Sequence, residues 1–175
     1  TVRSTGGACI DLGGDLSRVE QVAVSSCGGV GIQLGGVGLL SDSRARITSS
    51  HGAQIGGGII RHTTTSQAGD SGLVVDGGGL VVDCSTTRSR LHGIVGATAT
   101  RVVAADARDN RQVGVLLGTG SMVADSVSSD NGDYGLDLGP GSGFGRNVIS
   151  GNGTGTVLGG AELDPNLCGA TPCGP

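Results

Sequence analysis

Residues 114 to 142 read GVLLGTGSMVADSVSSDNGDYGLDLGPGS, and one five-residue pattern occurs twice within this stretch. The pattern is a glycine, an aliphatic residue, any residue, a leucine and a glycine. It appears first as GVLLG, beginning at Gly114, and again as GLDLG, beginning at Gly135. A recurrence at a constant interval of this length is typical of a repeat architecture, in which each copy is one structural unit.

The same unit extends over almost the entire chain. If the small or aliphatic residue after the glycine is taken as a first marker, the copies recur at intervals of about 21 residues. The first markers are Ile10, Ile32, Ala53, Leu73, Ile94, Val115, Leu136 and Val157. A second marker lies at a constant distance before the next first marker and comprises Val19, Leu40, Ile60, Val81, Val102, Val123 and Phe144. The sequence therefore predicts eight copies, with one residue deleted between Ala53 and Ile60.

The residues around each first marker alternate with a period of two, which is the period of a strand and not of a helix. Val115 and Leu117 flank one outward residue, and Leu136 and Leu138 do the same. Three short strands joined by tight bends predict an all-β fold, a parallel β-solenoid whose strands pair with their equivalents one coil later. Eight coils spaced by about 4.8 Å give a rod about 38 Å long. We expect the glycines at the bends, where a positive φ is costly for other residues.

Composition limits both the core and the partners. The 175 residues suffice for one domain, and they include 37 glycines but only one Tyr, one Phe and no Trp. Small aliphatic side chains must therefore fill the interior. The net charge is −4, and the eleven basic residues are all Arg and scattered along the sequence, which argues against a nucleic-acid partner. No apolar run approaches the roughly 20 residues of a membrane-spanning helix, so we expect no membrane insertion.

We call the residues that occupy the same position in successive copies a column. One column of the repeat changes to asparagine in the later copies. In order it contains Cys27, Thr48, Ala68, Ser89, Asn110, Asn131 and Asn152. Asn110, Asn131 and Asn152 are predicted to stack inside the rod as an amide ladder, with about 0.5–1.5 kcal/mol from each hydrogen bond. The alternative is three unrelated asparagines in turns.

Two copies of the repeat, SMVADSVSSDNGDYGLDL and GFGRNVISGNGTGTVL, resemble the coils of right-handed parallel β-helix proteins of the pectin-lyase-like superfamily. The ending DPNLCGATPCGP is similar to the cysteine-containing tails of secreted bacterial proteins of this kind. The resemblance implies a single domain over 1–175, with an N-terminal cap at 1–9, about eight coils at 10–160 and a tail at 161–175. It implies no single activity, because the superfamily contains polysaccharide lyases, glycoside hydrolases, epimerases, phage tailspikes and non-catalytic surface proteins.

Three features favour a non-catalytic role. The chain has no Lys, so any lyase base would have to be Arg. No column places three sheet-facing carboxylates on adjacent coils, and the coils are too short and too uniform in length to include loops that wall a cleft. The sequence therefore predicts an extracellular structural or polysaccharide-binding module, with self-association as a further option. The alternative is a polysaccharide lyase or glycoside hydrolase.

We expect no metal or cofactor, with calcium as the alternative. The segment that contains Asp130, Asp133 and Asp137 superficially resembles a calcium loop. It lacks the spacing and the closing Glu of an EF-hand. A polar bend is therefore the favoured interpretation.

Asp42, His62 and Asp83 occupy one position in three successive copies. A solenoid would place their consecutive Cα atoms about 5 Å apart. Such a line could bind a divalent metal or position a proton donor, which makes these residues the candidate catalytic group. The alternative is a solvated bend in which two acids flank a histidine without a catalytic role.

Val74, Val95 and Leu116 follow the first marker in three successive copies and are predicted to point outward. Stacked in this way they would form an exposed aliphatic stripe, a feature that soluble monomers usually keep small. We expect the stripe to contact a partner, a second copy of the chain or the chain's own terminal segment. The alternative is that valine simply suits an exposed strand.

The cysteines indicate the compartment. Cys168 and Cys173 bracket a short segment with a proline and are predicted to form a disulfide that caps the last coil. Pairing of Cys9 with Cys27 stays open, because their positions within the repeat differ by four. Cys84 is expected inside the rod as a free thiol. Disulfides persist in oxidising compartments, so we expect a secreted or cell-surface protein.

Overall fold

A computed structural model describes residues 2–3, 6–169 and 171–173 of the chain. This part consists of strands, bends and turns and contains no helix, and hence none long and apolar enough to span a membrane. It winds into a parallel β-solenoid of about eight coils. Val115 pairs with Leu136, its equivalent in the next copy of the repeat, and Ile94 pairs with Val115. The predicted stacking of equivalent residues is therefore confirmed.

Each complete coil contributes a strand to each of three faces of the rod. Four long strands bend from the first face onto the second: β5 (Ile32–Ser41), β7 (Ala53–Arg61), β18 (Tyr134–Gly145) and β20 (Gly155–Glu162). The first face also contains β2 (Ile10–Leu12), β9 (Leu73–Val75), β12 (Ile94–Gly96) and β15 (Val115–Leu117). The second face also contains β3 (Ser17–Glu20), β10 (Gly79–Val82), β13 (Arg101–Val103) and β16 (Met122–Ala124).

The third face is a separate sheet. Its strands are β1 (Val2–Arg3), β4 (Ala23–Cys27), β6 (Arg44–Thr48), β8 (Thr64–Ala68), β11 (Ser85–Thr87), β14 (Asp106–Arg108), β17 (Val127–Ser129), β19 (Val148–Ser150), β21 (Leu167–Cys168) and β22 (Thr171–Pro172). Within the described chain, every strand pair is parallel except β21 with β22. β1 lies in the segment expected as a cap and β21 in the expected tail, so both segments add strands to this sheet.

Small aliphatic side chains fill the interior, as composition requires. Ile32, Leu73, Ile94, Val115 and Leu136 of the first face have no exposed surface. Burial of each such side chain stabilises the fold by about 1.5–3 kcal/mol. Because equivalent residues are vertical neighbours, each contacts its own kind in the coils above and below.

Glycines absorb the one-residue deletion. Leu34 pairs with Ile55 in the ordinary register of the repeat, whereas Val37 pairs with Gly57, one residue earlier than that register predicts. A side chain at Gly56 would place its Cβ 2.6 Å from the carbonyl oxygen of Gly35. The irregularity thus lies between Ala53 and Ile60, where the sequence places the deletion. Strand pairing continues on both sides of it.

The three asparagines form the amide ladder inside the bend that follows the third face. The side-chain nitrogen of Asn110 donates to the side-chain oxygen of Asn131 at 3.0 Å, and Asn131 donates in the same way to Asn152 at 3.0 Å. The oxygen of Asn131 also accepts the backbone N–H of Asn110 at 3.1 Å. One buried amide therefore satisfies donors from the side chain and from the backbone of the preceding coil.

The other two bends use side-chain acceptors that sequence reasoning missed. Between the second and third faces, the side-chain oxygen of Asn147 accepts the backbone N–H of Ser126 at 3.0 Å. Between the first and second faces, the hydroxyl of Ser121 accepts the backbone N–H of Thr100 at 3.1 Å. An acceptor one coil away thus satisfies a buried N–H group at the bend.

Glycine has a different role from the expected one. Among the described residues, fifteen non-glycine residues have a positive φ, compared with seven glycines. The glycines that precede the first markers instead lie against the next coil. A Cβ on Gly93 would lie 2.5 Å from the carbonyl oxygen of Gly114, and one on Gly72 would lie 2.7 Å from that of Gly93. The expectation that glycine serves the bends is therefore wrong for most of them, because close approach of neighbouring coils excludes a side chain in this column.

Two disulfides close the two ends of the rod. Cys9 bonds to Cys27 with a Cα separation of 5.5 Å, which resolves the pairing that the sequence leaves open. Cys168 bonds to Cys173 with a Cα separation of 4.8 Å and links the strands β21 and β22 to one another. Cys84 is buried and free, and its burial raises the pKa of the thiol to about 11.

Candidate functional site

A single left-handed residue forms the bend between the second and third faces. It has a φ between 47° and 56° in seven successive coils. The bend residues are Gln21, Asp42, His62, Asp83, Ala104, Asp125 and Arg146, and all are exposed. A left-handed conformation costs a non-glycine residue about 1 kcal/mol or more, so the pairing on both sides must hold each one in place. The bend residues consequently form a row along the outside of the rod.

This row places Asp42, His62 and Asp83 side by side. Nδ1 of His62 lies 3.3 Å from Oδ1 of Asp42, and Nε2 lies 3.5 Å from Oδ2 of Asp83. The two carboxylates therefore engage opposite nitrogens of the ring, and a single metal ion on one nitrogen could not reach both. Within the described residues, no group of three His, Cys, Asp or Glu side chains could hold a metal ion. The acid–histidine–acid line thus places an imidazole, a side chain that often acts as a general acid or base, between two exposed carboxylates.

A shallow trough crosses the third face beside this line. Two open hollows, of about 400 and 330 Å³, meet at Gln67 and Arg88. We define the arginine trough by the long polar side chains that line them, which are Arg44, Arg46, Gln67, Arg88 and Arg90.

The arginine trough corrects the expectation that the basic residues are scattered. Arg44 and Arg46 are alternate residues of β6 and point outward. Arg88 and Arg90 lie at and just beyond the bend after β11, two coils later. Two coils correspond to about 10 Å along the rod. Residues that are distant from one another in the sequence thus form one basic surface.

The four arginines of the trough are exposed, and within the described residues none of them forms an ion pair. Nε of Arg46 donates a long hydrogen bond, 3.4 Å, to the side-chain oxygen of Gln67. Farther along the same face the pattern differs, because Arg108 is paired with Asp106. Arg111, one repeat after Arg90, is also exposed without an ion pair in the described chain, so the unpaired positive charge extends from β6 to the bend after β14.

The arginine trough and the acid–histidine–acid line share a border. A third hollow, of about 410 Å³, lies beside Asp42 and His62 and is also lined by Arg44 and Thr64. Arg44 and Thr64 line one hollow of the trough as well. A ligand that extends along the trough would therefore reach the exposed ring of His62 at one end.

The predicted aliphatic stripe is less exposed than expected. Val74 is only 7% exposed, and Val95 and Leu116 are partly buried. Val74 pairs directly with Val95, and Val95 with Leu116, so each outward side chain is covered by its neighbours about 4.8 Å away. The column exists, but the prediction that all three residues form an exposed surface is wrong at Val74.

Solved structures with this architecture include a periplasmic alginate epimerase, AlgG. Its crystal structure superposes with a TM-score of 0.65 at 14% sequence identity, over 87% of this chain and 46% of the epimerase chain. A structure of an aspartate-to-alanine mutant of AlgG gives a TM-score of 0.67 at 15% identity, over 83% of this chain and 43% of that chain. This chain thus spans just under half the length of the epimerase.

The likeness to the epimerase confirms the parallel β-helix fold. At this level of identity it shows the fold alone. No protein-family model matches the chain, and no curated protein sequence is significantly similar to it.

Proposed function

We propose that the protein is a non-catalytic β-helix module that binds an extended, negatively charged polysaccharide in the arginine trough. The observation that carries this proposal is the group of four exposed arginines without a carboxylate partner in the described part of the chain. A guanidinium group presents paired donors that match the geometry of a carboxylate or phosphate. An exposed charge pair contributes only about 0–1 kcal/mol, so several along one polymer are needed.

The floor of the trough suits a sugar polymer better than a nucleic acid. The polar side chains of Ser66, Gln67 and Thr87 line it and can exchange hydrogen bonds with sugar hydroxyls. Single-stranded nucleic acids are usually held by bases stacked on aromatic rings. Among the residues that line the trough in the described chain, none is aromatic. The likeness to an enzyme of alginate also supports a carbohydrate ligand.

The two disulfides support action in an oxidising compartment. We therefore propose a secreted or cell-surface location. The proposed binding uses only side chains of the trough, so it should proceed equally well with and without calcium.

A polysaccharide lyase or glycoside hydrolase is the second candidate function. It is favoured by the border that His62 shares with the trough, since a histidine between two carboxylates can accept and release a proton. The open shape of the trough favours binding instead, because catalytic sites generally enclose their substrate and exclude water.

Calorimetric titration with two matched polymers tests the binding proposal. Polygalacturonate carries a carboxylate on each sugar, and its fully methyl-esterified form keeps the backbone without the charge. We expect the charged polymer to bind more tightly and Arg88→Gln to weaken that binding about fivefold. Arg108→Gln is the matched control, since Arg108 lies farther along the same face, outside the trough, and its charge is already paired with Asp106. Equal effects of the two substitutions, or no binding to a panel of acidic polysaccharides, would contradict the proposal.

A search for cleavage products distinguishes the two candidate functions. The same polysaccharides are incubated with the protein, with and without calcium, and analysed by mass spectrometry. We expect no new products. Gln21→Ala, a substitution at the same bend position in another coil, is the control. Cleavage products that are absent with His62→Ala but present with Gln21→Ala would show that the protein is an enzyme.

A further inference from the structure

The outward side of the second face is aliphatic, unlike that of the third. In five coils the positions on either side of the second marker carry aliphatic side chains that are partly or largely exposed, namely Leu39, Ile59, Leu80, Val82, Val103 and Met122. We call these six residues the aliphatic surface. On the third face the corresponding outward positions of β8, β11 and β14 carry Ser, Thr, Asp and Arg. The two sides of the rod therefore offer different surfaces to a partner.

The aliphatic surface is open to solvent along five successive coils. Ile59 is 40% exposed, and Leu39, Leu80, Val82, Val103 and Met122 are partly exposed. Val37, at the border with the first face, is 54% exposed. Contiguous apolar surface on a soluble protein usually marks a contact with another molecule.

A charge pair at one end of this surface indicates what that molecule is. On β3, Arg18 precedes the second marker and Glu20 follows it, and Nη2 of Arg18 lies 2.8 Å from Oε1 of Glu20. Both side chains are partly or largely exposed, and the bond to Arg18 lowers the pKa of Glu20. A two-fold axis parallel to the rod exchanges the positions before and after the marker. It would therefore set Arg18 opposite Glu20 of a second copy, and Glu20 opposite Arg18.

We propose that a second copy of the chain packs on the aliphatic surface, with the two rods side by side and parallel. The same axis sets Leu80 against Val82, which are both partly exposed, while the charges at the end are complementary. Arg61 and Arg101 interrupt the surface. Arg101 is exposed, whereas Arg61 is partly buried and its Nε has no hydrogen-bond partner in the described part of the chain. The axis would set the aliphatic stems of these two arginines against Ile59 and Val103 of the second copy.

This dimer goes beyond the proposed function and does not depend on it. The arginine trough is on the third face, so both copies keep it open. Two troughs that run in the same direction would bind one polymer or two parallel polymers with increased apparent affinity.

Sedimentation velocity over a range of concentrations tests the dimer. We expect the wild type to reach twice the chain mass of 17.0 kDa. Leu80→Asp is expected to stay at 17.0 kDa, while Val127→Asp, which puts the same charge on an outward strand position of the third face, should dimerise normally. A wild type that remains monomeric up to the highest soluble concentration, or equal loss in both variants, overturns the proposal.

Charge exchange tests the arrangement even if Leu80→Asp does not fold. Glu20→Arg should weaken dimerisation about tenfold, because the axis repeats the contact twice. The double substitution Arg18→Glu with Glu20→Arg should restore it, since each charge again meets its opposite. A double variant as weak as Glu20→Arg contradicts the two-fold arrangement. Monomeric protein that instead sediments with phosphatidylcholine vesicles would assign the aliphatic surface to a lipid surface and overturn the dimer.

Discussion

The side-chain nitrogen of Asn131 lies 3.0 Å from the side-chain oxygen of Asn152, which belongs to the next coil. The same amide accepts from Asn110 in the previous coil through its oxygen. One buried side chain thus connects three coils at a bend, where the strands no longer pair. Its contribution to stability depends on the donors it would leave unsatisfied.

Replacement of Asn131 by alanine should be costly. The substitution removes the acceptor for the backbone and side-chain N–H groups of Asn110, which is 2% exposed. We expect the free energy of unfolding to fall by about 3 kcal/mol, measured by urea denaturation. Asn152→Ala removes the acceptor of Asn131, which is equally buried, but the side-chain nitrogen of Asn131 still donates to the carbonyl oxygen of Ala107 at 3.0 Å. This loss should therefore be smaller, about 1–2 kcal/mol. Equal losses would mean that the remaining acceptor does not compensate for the lost one.

Replacement of Gly93 by alanine should destabilise the rod through contact with the next coil. The new methyl group would lie 2.5 Å from the carbonyl oxygen of Gly114, and the paired backbone cannot move away without loss of hydrogen bonds. We expect a loss of about 2–3 kcal/mol in urea denaturation. Gly78→Ala is the control, because its methyl group meets no atom closer than 3.5 Å. The control should change stability by less than about 0.5 kcal/mol.

The two disulfides should contribute unequally. Cys9 and Cys27 are 18 residues apart, whereas Cys168 and Cys173 are 5 apart. Closure of the longer loop restricts the unfolded chain more. Replacement of both cysteines by serine should therefore lower the free energy of unfolding by about 3 kcal/mol for the first disulfide and by about 2 kcal/mol for the second. Urea denaturation without reductant measures both. A larger loss at the second disulfide would show that contacts in the folded tail matter more than loop length.

The ion pair of Arg146 with Asp125 should make stability depend on pH. Two hydrogen bonds of 2.7 Å from the guanidinium group lower the pKa of the Asp125 carboxyl below its ordinary value of 3.8. The contribution is therefore fully present above pH 3.8 and is lost as the pH falls below it. Asp125→Asn should lower Tm at pH 7, and the difference from wild type should shrink at about pH 2.

A matched substitution at another bend tests whether this pH effect belongs to the pair. Asp109 is an exposed bend residue without an ion pair in the described chain. Asp109→Asn should give a difference in Tm from wild type that is small at both pH values. If Asp109→Asn also lowered Tm at pH 7 and this difference shrank at about pH 2, the effect would come from the overall charge of the protein and not from the ion pair.

The path of the chain could be predicted from the sequence because strand pairing in a solenoid follows from register alone. Once Val115 and Leu136 are recognised as equivalent, the pairing of every other column follows, including the row that holds Asp42, His62 and Asp83. The asparagine ladder followed for the same reason. The role of Gly93 was not predicted, because a glycine that recurs in the repeat fits either a positive φ or a close contact, and only the structure shows the carbonyl oxygen of Gly114 beside it.

The arginine trough was missed because its residues occupy different columns. Arg44 and Arg46 are strand positions, whereas Arg88 and Arg90 belong to the following bend. A comparison of residues within each column cannot detect such a group. A map of the whole third face, with columns and coils as its two axes, would have brought the four together.

The pairing of Leu34 with Ile55 and of Val37 with Gly57 shows that one coil can be a residue shorter than its neighbours. Each coil meets the rest of the molecule only through the coil above and the coil below. In-frame duplication or deletion of a whole coil would therefore join surfaces that already fit. Such a duplication or deletion would change the length of the rod, and the length of ligand that can lie along it, without substitutions in the core of the remaining coils.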